Sequence, residues 1–178
     1  MTNSLVFYIH GFGSSVNSET LQSLRKFYPD AEGLTYDHDQ PFQSISAMVK
    51  DVRATAGDRD VVIVGSSLGA WYAEQLTAHI VGDFIMYNPC TQPEVSLHKY
   101  GVGIDTLQAY KLRSTKTLPP ASRTVVLCFD DVVIDPRIAD VKYSSVSDML
   151  YTNGGHRMTP YNLSIIVDKI KFLQNQIP

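Results

Sequence analysis

Cysteine is nearly missing: 178 residues hold only Cys90 and Cys128. The two form neither a C-x-x-C pair nor the dense framework of a small secreted domain, so a reducing cytoplasm suits the chain better than export. Clustered positive charge is missing too. Fifteen Lys and Arg face 18 Asp and Glu for a net charge of −3, and no basic block exceeds Arg25-Lys26. With no patch to neutralise phosphates, nucleic acid is not an expected partner. Long apolar runs are also lacking. The first, Leu5 to Ile9, follows Met1-Thr2-Asn3-Ser4 without a Lys or Arg, and is too short for a signal-peptide core or a membrane span. No repeat and no low-complexity tract interrupts the chain.

What is present is an ordinary globular composition, 44% hydrophobic and 19% charged. At roughly 100 to 200 residues per domain, one domain over 1–178 is expected, and it needs neither disulfide nor metal to hold its core together.

Short β-rich apolar runs alternate with helical patterns. Leu5 to Ile9, Val61 to Val64, Phe84 to Tyr87 and Thr124 to Phe129 read as strands buried on both faces, and Gly33 to Tyr36 and Val146 to Tyr151 as weaker ones. Helical windows cover about Ser18 to Phe27, Phe42 to Thr55, Leu68 to His79, Arg137 to Val141 and Pro160 to Gln174. In the last, Thr159 is placed to cap, Pro160 opens the helix, and Leu163, Ile166, Val167 and Ile170 share a stripe. Such alternation predicts a parallel sheet with helices on both faces. The Pro-flanked stretch 91–120, with a helix around Asp105 to Leu112, reads as a short lid excursion over one end of the sheet.

Chemistry in a parallel sheet gathers at the carboxyl ends of its strands. Directly after Val61 to Val64 comes Gly65-Ser66-Ser67-Leu68-Gly69, followed by helical Ala70-Trp71-Tyr72-Ala73. This is Gly-x-Ser-x-Gly in a strand-turn-helix context, where glycines let backbone approach closely around a serine held on a strained turn. Ser67 is the candidate nucleophile. A serine needs a base, itself oriented by an acid. His156, in Asn153-Gly154-Gly155-His156 after the last strand, is the candidate base. His79 on a helix and His98 in the excursion read as solvated. His38, in Asp37-His38-Asp39, lacks partner spacing for a metal site, since three consecutive residues cannot easily all face one ion.

Asp130, Asp131 and Asp135 follow the penultimate strand. Asp135 precedes Pro136 and reads as a helix cap, which leaves the adjacent pair as candidate acids. The resulting chain order, Ser, Asp, His, is that of α/β-hydrolases. An oxyanion would find the backbone N–H of Leu68 and, from the loop after the first strand (His10-Gly11-Phe12-Gly13-Ser14-Ser15), that of Phe12. Gly11-x-Gly13 also begins a dinucleotide fingerprint, but Val16 stands where its third glycine belongs.

These residues carry a resemblance. Tyr8-Ile9-His10-Gly11-Phe12 with Ser14-Ser15, Ser66-Ser67-Leu68-Gly69 running into Trp71-Tyr72, Asn88-Pro89, Asp131-Val132-Val133-Ile134-Asp135 and Gly154-Gly155-His156 together resemble the small YqiA/YcfP-like esterases of the α/β-hydrolase superfamily. The resemblance runs over essentially the whole chain and departs from the family in having Asp130 where a glycine usually precedes the acid. It implies a compact three-layer α/β-hydrolase fold with Ser67 as nucleophile, Asp131 as acid and His156 as base. It also implies an oxyanion hole from Phe12 and Leu68. Because the first strand leads straight into the His-Gly loop, the N-terminal antiparallel hairpin of larger hydrolases is expected to be missing, giving six strands in the order 2-1-3-4-5-6.

The expected activity is hydrolysis of small carboxylic esters or thioesters through an acyl-Ser67 intermediate, with no cofactor and no metal. Gly11, Leu97, Tyr100 and Tyr110 are candidates to line the substrate site. Two alternatives share the sequence: an acyltransferase using the same serine, and a non-catalytic hydrolase-fold protein that binds a ligand or partner.

Overall fold

The computed structural model describes residues 4–114 and 119–176. Six strands form one sheet, all parallel, in the order β2-β1-β3-β4-β5-β6. They are β1 (Leu5–Ile9), β2 (Glu32–Leu34), β3 (Val61–Ser66), β4 (Asp83–Tyr87), β5 (Ser122–Cys128) and β6 (Asp148–Thr152). Seven α-helices connect or flank them: α1 (Glu19–Arg25), α2 (Pro41–Ala56), α3 (Leu68–Leu76), α4 (Pro93–Ser96), α5 (Ile104–Ser114), α6 (Pro136–Tyr143) and α7 (Pro160–Gln174).

Alternation along the strands divides the interior in two. Leu5, Phe7 and Ile9 of β1 point to one face, where they join residues of α2, α3, α5 and α6. Val6 and Tyr8 point to the other, where α1 and α7 bring Leu21, Leu24, Leu163, Ile166, Val167 and Ile170. A strand covered on both sides can be apolar at every position, which is why β1 and β3 read as unbroken hydrophobic runs. The helices obey the 3.6-residue period: Ile45, Met48, Val52 and Ala56 make the buried stripe of α2, which opens on Pro41 and ends at Gly57 with φ 58°. Helix α3 differs, because every residue from Leu68 to Leu76 is buried. Its one charge, Glu74, is met by Lys142 of α6 at 2.7 Å.

Two expectations need adjustment. β2 stops at Leu34 rather than Tyr36, and Tyr36 turns inward to donate from its hydroxyl to the His10 carbonyl at 3.1 Å. The excursion, of which residues 115–118 lie outside the described set, does not act as one lid. Its second half, α5, packs against the sheet layer: Tyr110 is fully buried with its hydroxyl 2.8 Å from that of Tyr72, and Trp71 donates to the Ser114 hydroxyl at 2.9 Å. Among the described residues, it is the first half, α4 and the 3₁₀ turn His98–Tyr100, that reaches the carboxyl end of the sheet. Among the described residues no helix is long and apolar enough to cross a membrane.

Candidate active site

Ser67 sits between β3 and α3 at φ 55° and ψ −117°, a conformation that costs an L-residue on the order of 1–3 kcal/mol. Its surroundings leave no other path. A Cβ on Gly65 would lie 2.5 Å from the Gly69 carbonyl oxygen, and one on Gly69 would run into the Ile9 carbonyl of β1. The helix thus begins pressed against the ends of two strands, and only glycine fits at both contacts. Backbone bonds lock the turn: the Ser67 amide donates to Tyr87 O at 2.9 Å, and its carbonyl accepts from Cys90 N at 3.1 Å and Ala70 N at 3.0 Å.

From Ser67 a polar line runs across the strand ends. The Ser67 Oγ lies 3.0 Å from His156 Nε2, and His156 Nδ1 lies 2.7 Å from Asp131 Oδ2. The second oxygen of Asp131 accepts from the amides of Val133 at 2.8 Å and Ile134 at 3.1 Å. Burial alone would raise the Asp131 carboxyl, but the hydrogen bonds from His156, Ile134 and Val133 outweigh it and hold the group below its ordinary range. The carboxylate is therefore ionised at neutral pH and oriented at both oxygens.

The adjacent Asp130 faces the other way, as neighbouring residues leaving a strand must. Its carboxylate accepts from the amides of Gly154 and Gly155, at 3.0 Å each, and these bonds lower its pKa. One aspartate fixes the backbone of the histidine loop, and the next fixes the ring. Asp135 caps α6, accepting from Arg137 N at 3.0 Å.

A third attachment comes from β4. Asn88, at φ 42°, donates from Nδ2 to the Gly155 carbonyl at 2.9 Å and accepts from Cys128 N at 2.8 Å. The Tyr87 hydroxyl stands 3.1 Å from Gly155 O and 3.3 Å from Arg157 O, and accepts from Asn162 Nδ2 of α7 at 2.7 Å. Sequence reasoning assigned no role to Tyr87, Asn88 or Asn162, and held Asp130 only as the alternative to Asp131 as the acid. Asn88 could have been found, because it directly follows a strand at the edge where function gathers.

A cavity of about 270 Å³ opens over Ser67. Phe12, Leu97, Tyr100, Val133 and Ile134 supply apolar wall, and Lys99 and Arg157 stand at its rim. Cys90 also lines it, but burial pushes its thiol up to about 11, so it is no thiolate at neutral pH. Of the anticipated substrate residues, Leu97 and Tyr100 line this space. Gly11 is beside the serine, where an added Cβ would lie 3.3 Å from Ser67 Cβ. Tyr110 does not line the cavity; its hydroxyl donates to the His38 carbonyl inside the helical layer at 3.0 Å. The amide of Leu68 opens α3 and has no intrahelical acceptor, and Phe12 borders the same cavity. Among the described residues no three His, Cys, Asp or Glu side chains converge as a metal would require, and the Asp37 carboxylate is turned onto the Asp39 amide at 2.9 Å.

Relatives agree with this architecture. Residues 5–173 match the uncharacterised protein family UPF0227. A UPF0227 protein of Serratia proteamaculans (strain 568) is 27% identical over 146 residues, covering 76% of this chain and 79% of that protein. One from Shewanella sp. (strain ANA-3) is 26% identical over 98 residues, 52% of this chain and 55% of its own. Among solved structures, Est1E from Butyrivibrio proteoclasticus superposes with a TM-score of 0.72 at 16% identity, over 98% of this chain and 88% of that one. The Pyrococcus furiosus esterase Pf2001 gives 0.71 at 14%, over 98% and 83%. Mouse alpha/beta hydrolase domain-containing protein 10 gives 0.73 at 14%, over 97% and 90%. At these identities the structural likeness speaks for the fold, while the match along nearly the entire sequence speaks for kinship: the chain belongs to the UPF0227 family and has the α/β-hydrolase fold.

Proposed function

We propose that this protein is a serine hydrolase that cleaves carboxylic esters or thioesters of small acyl groups. The observation that carries the reading is the unbroken line from Ser67 Oγ through His156 to Asp131, at 3.0 and 2.7 Å, ending in a carboxylate held ionised. His156 Nε2 takes the serine proton as Oγ adds to the carbonyl carbon, and Asp131 stabilises the imidazolium through Nδ1. The N–H groups of Leu68 and Phe12 stabilise the oxyanion. His156 then protonates the departing alcohol or thiol, and a water activated by the same ring releases the acid from acyl-Ser67. No metal or cofactor enters these steps.

A non-catalytic binding protein would have no use for a serine kept at a positive φ beside an imidazole, since strain of that kind must be maintained against the unfolded chain. The cavity of about 270 Å³ is at the small end of ligand sites, which fits short acyl chains. Two buried, unpaired cysteines fit a reducing cytoplasm.

A fluorophosphonate probe tests the reading. It should label the wild-type protein on Ser67, and Ser67→Ala should lose labelling and p-nitrophenyl ester hydrolysis together while unfolding at the same temperature. Undiminished hydrolysis by Ser67→Ala would end the proposal. A profile of p-nitrophenyl esters peaking at long chains would end the small-acyl part of it.

A further inference from the structure

We infer that the site prefers esters that carry a negative charge near the scissile bond, an inference resting on the esterase reading above. The cavity over Ser67 has two cations at its rim, Lys99 and Arg157, and no Asp or Glu among its lining residues. In a chain with more acids than bases, this is a local reversal of sign. Elsewhere, Arg25, Arg59, Arg137, Lys142, Lys169 and Lys171 each have a carboxylate within 4.0 Å, while Arg53, Arg113 and Arg123 donate to neutral oxygens of His79, Gln75, Thr77 and Pro119. Among the described residues Lys26, Lys50 and Lys111 have no carboxylate partner but do not line this cavity. Among the described residues neither Lys99 nor Arg157 has one. The carboxylate closest to the chemistry, Asp131, is already engaged by His156 and two amides. Glu94, whose charge reaches Cys90, is not part of the lining.

The Lys99 ammonium and the backbone of Arg157 are both held by features that serve the site. The Lys99 ammonium lies 5.2 Å from the centroid of Tyr100, itself a wall of the cavity and packed on Phe12 at 5.2 Å. Arg157 directly follows the base, and its carbonyl is within reach of the Tyr87 hydroxyl. Two like charges at the mouth of a hollow with no acidic lining give it a positive field. Guanidinium and ammonium groups together suit a carboxylate or a phosphate, the guanidinium through its planar fork. Hydrolysis consumes one water: the acyl C–O or C–S bond breaks, the water oxygen bonds to the carbonyl carbon, and the alcohol or thiol departs with the proton from His156. A carboxylate on the acyl side then yields a dicarboxylate, a phosphate there a phosphorylated acid, and an anion on the other side a charged alcohol or thiol.

Two matched ester pairs test this. On the acyl side, mono-p-nitrophenyl adipate is compared with p-nitrophenyl hexanoate; the six-carbon chain avoids the internal attack that shorter diacid esters suffer. On the alcohol side, 4-acetoxybenzoate is compared with its methyl ester. In at least one pair the anionic member should have the higher kcat/KM at low salt, by about fivefold per engaged cation, with the advantage shrinking at 1 M NaCl. Lys99→Gln and Arg157→Gln should each lower the anionic-to-neutral ratio, a quantity that cancels both leaving-group reactivity and any loss common to the two esters. Which pair responds places the charge on the acyl or the alcohol side. Ratios unmoved by either substitution and by salt in both pairs, with the neutral esters still turned over, would overturn the charge preference and leave the esterase reading standing. If no ester is turned over and the fluorophosphonate leaves Ser67 unlabelled, both fall.

Discussion

At the tip of β3, Ser67 is placed by contact between backbones: Gly65 against Gly69, and Gly69 against the carbonyls that end β1. At the tips of β5 and β6 the arrangement is different. Asp131 and His156 lie on loops, and the loops are tied to each other and to β4 by hydrogen bonds from Asp130, Asn88 and Tyr87. Steric placement is local and rigid, and it removes every residue type but one at each contact. Polar placement is long-range, divisible among several donors and acceptors, and tolerant of partial loss. The first should fail all at once under substitution, the second by degrees.

The largest expected loss comes from the one polar contact that cannot be shared. Asp131→Asn keeps an acceptor for the Val133 and Ile134 amides but sets an NH₂ against His156 Nδ1, so the ring is held in the wrong tautomer. We expect kcat to fall by up to about four orders of magnitude with little change in KM, read by steady-state kinetics. A mild Asp131→Asn with a severe Asp130→Asn would exchange their roles. The same carboxyl contributes to acid stability. Its folded pKa lies below the usual 3.8, so its stabilisation is complete above about pH 4 and is lost as pH falls through the lower folded value. The acid limb of the wild-type unfolding curve should accordingly be steeper than that of Asp131→Asn.

Next in size is the steric hinge. Gly69→Ala adds a methyl where the Ile9 and His10 carbonyls stand, and should cost about 3 kcal/mol or more of stability in denaturant titration. A folded, active Gly69→Ala would show that α3 can slide away from β1, and would erase the contrast between the two regions.

The clamp should answer more gently. Asp130→Asn keeps an acceptor for the Gly154 and Gly155 amides but removes the charge, and we expect kcat to fall about tenfold with KM held. Asn88→Ala should cost more in stability than Asp130→Asn, since it orphans the buried Cys128 amide and leaves the Gly155 carbonyl with the Tyr87 hydroxyl alone, about 1–3 kcal/mol for the unpaired amide. Smallest is Asp135→Asn, at a few tenths of a kcal/mol, because asparagine caps a helix nearly as well as aspartate.

This contrast also explains what could be read from the sequence. Strand runs such as Leu5 to Ile9, the cap at Thr159 with Pro160, and the Gly-x-Ser-x-Gly turn leave their mark in the local order of residue types, even where the contact that requires them, such as Gly69 against Ile9, lies far along the chain. The strand order came from the resemblance, with the N-terminal hairpin of larger hydrolases left out. Asp130 is another matter: next to Asp131 and of the same type, it differs only in which way it points, and that depends on where β5 lets go of β6. Tyr110 was misplaced because a tyrosine on an amphipathic helix looks alike whether its face meets a cavity or, as here, Trp71 and Tyr72. The charge at the cavity rim was equally hidden, since Lys99 and Arg157 come from segments far apart in the chain.

The distance between Ser67 and His156, 89 residues, sets an order of events during synthesis. At roughly 5 to 20 residues per second, the serine is synthesised about 4 to 18 s before its base. The Gly-x-Ser-x-Gly turn can form once β4 pairs with β3, yet Ser67 then has no imidazole to take its proton, and the Asn88 and Tyr87 hooks of β4 have no loop to hold. If the serine-hydrolase proposal holds, a half-made chain would be chemically silent, with reactivity arriving once β6 docks and α7 brings Asn162 to Tyr87. Nascent chains stalled short of His156 should ignore a fluorophosphonate that labels the finished protein, which makes acquisition of label a direct clock for closure of the last third of the sheet.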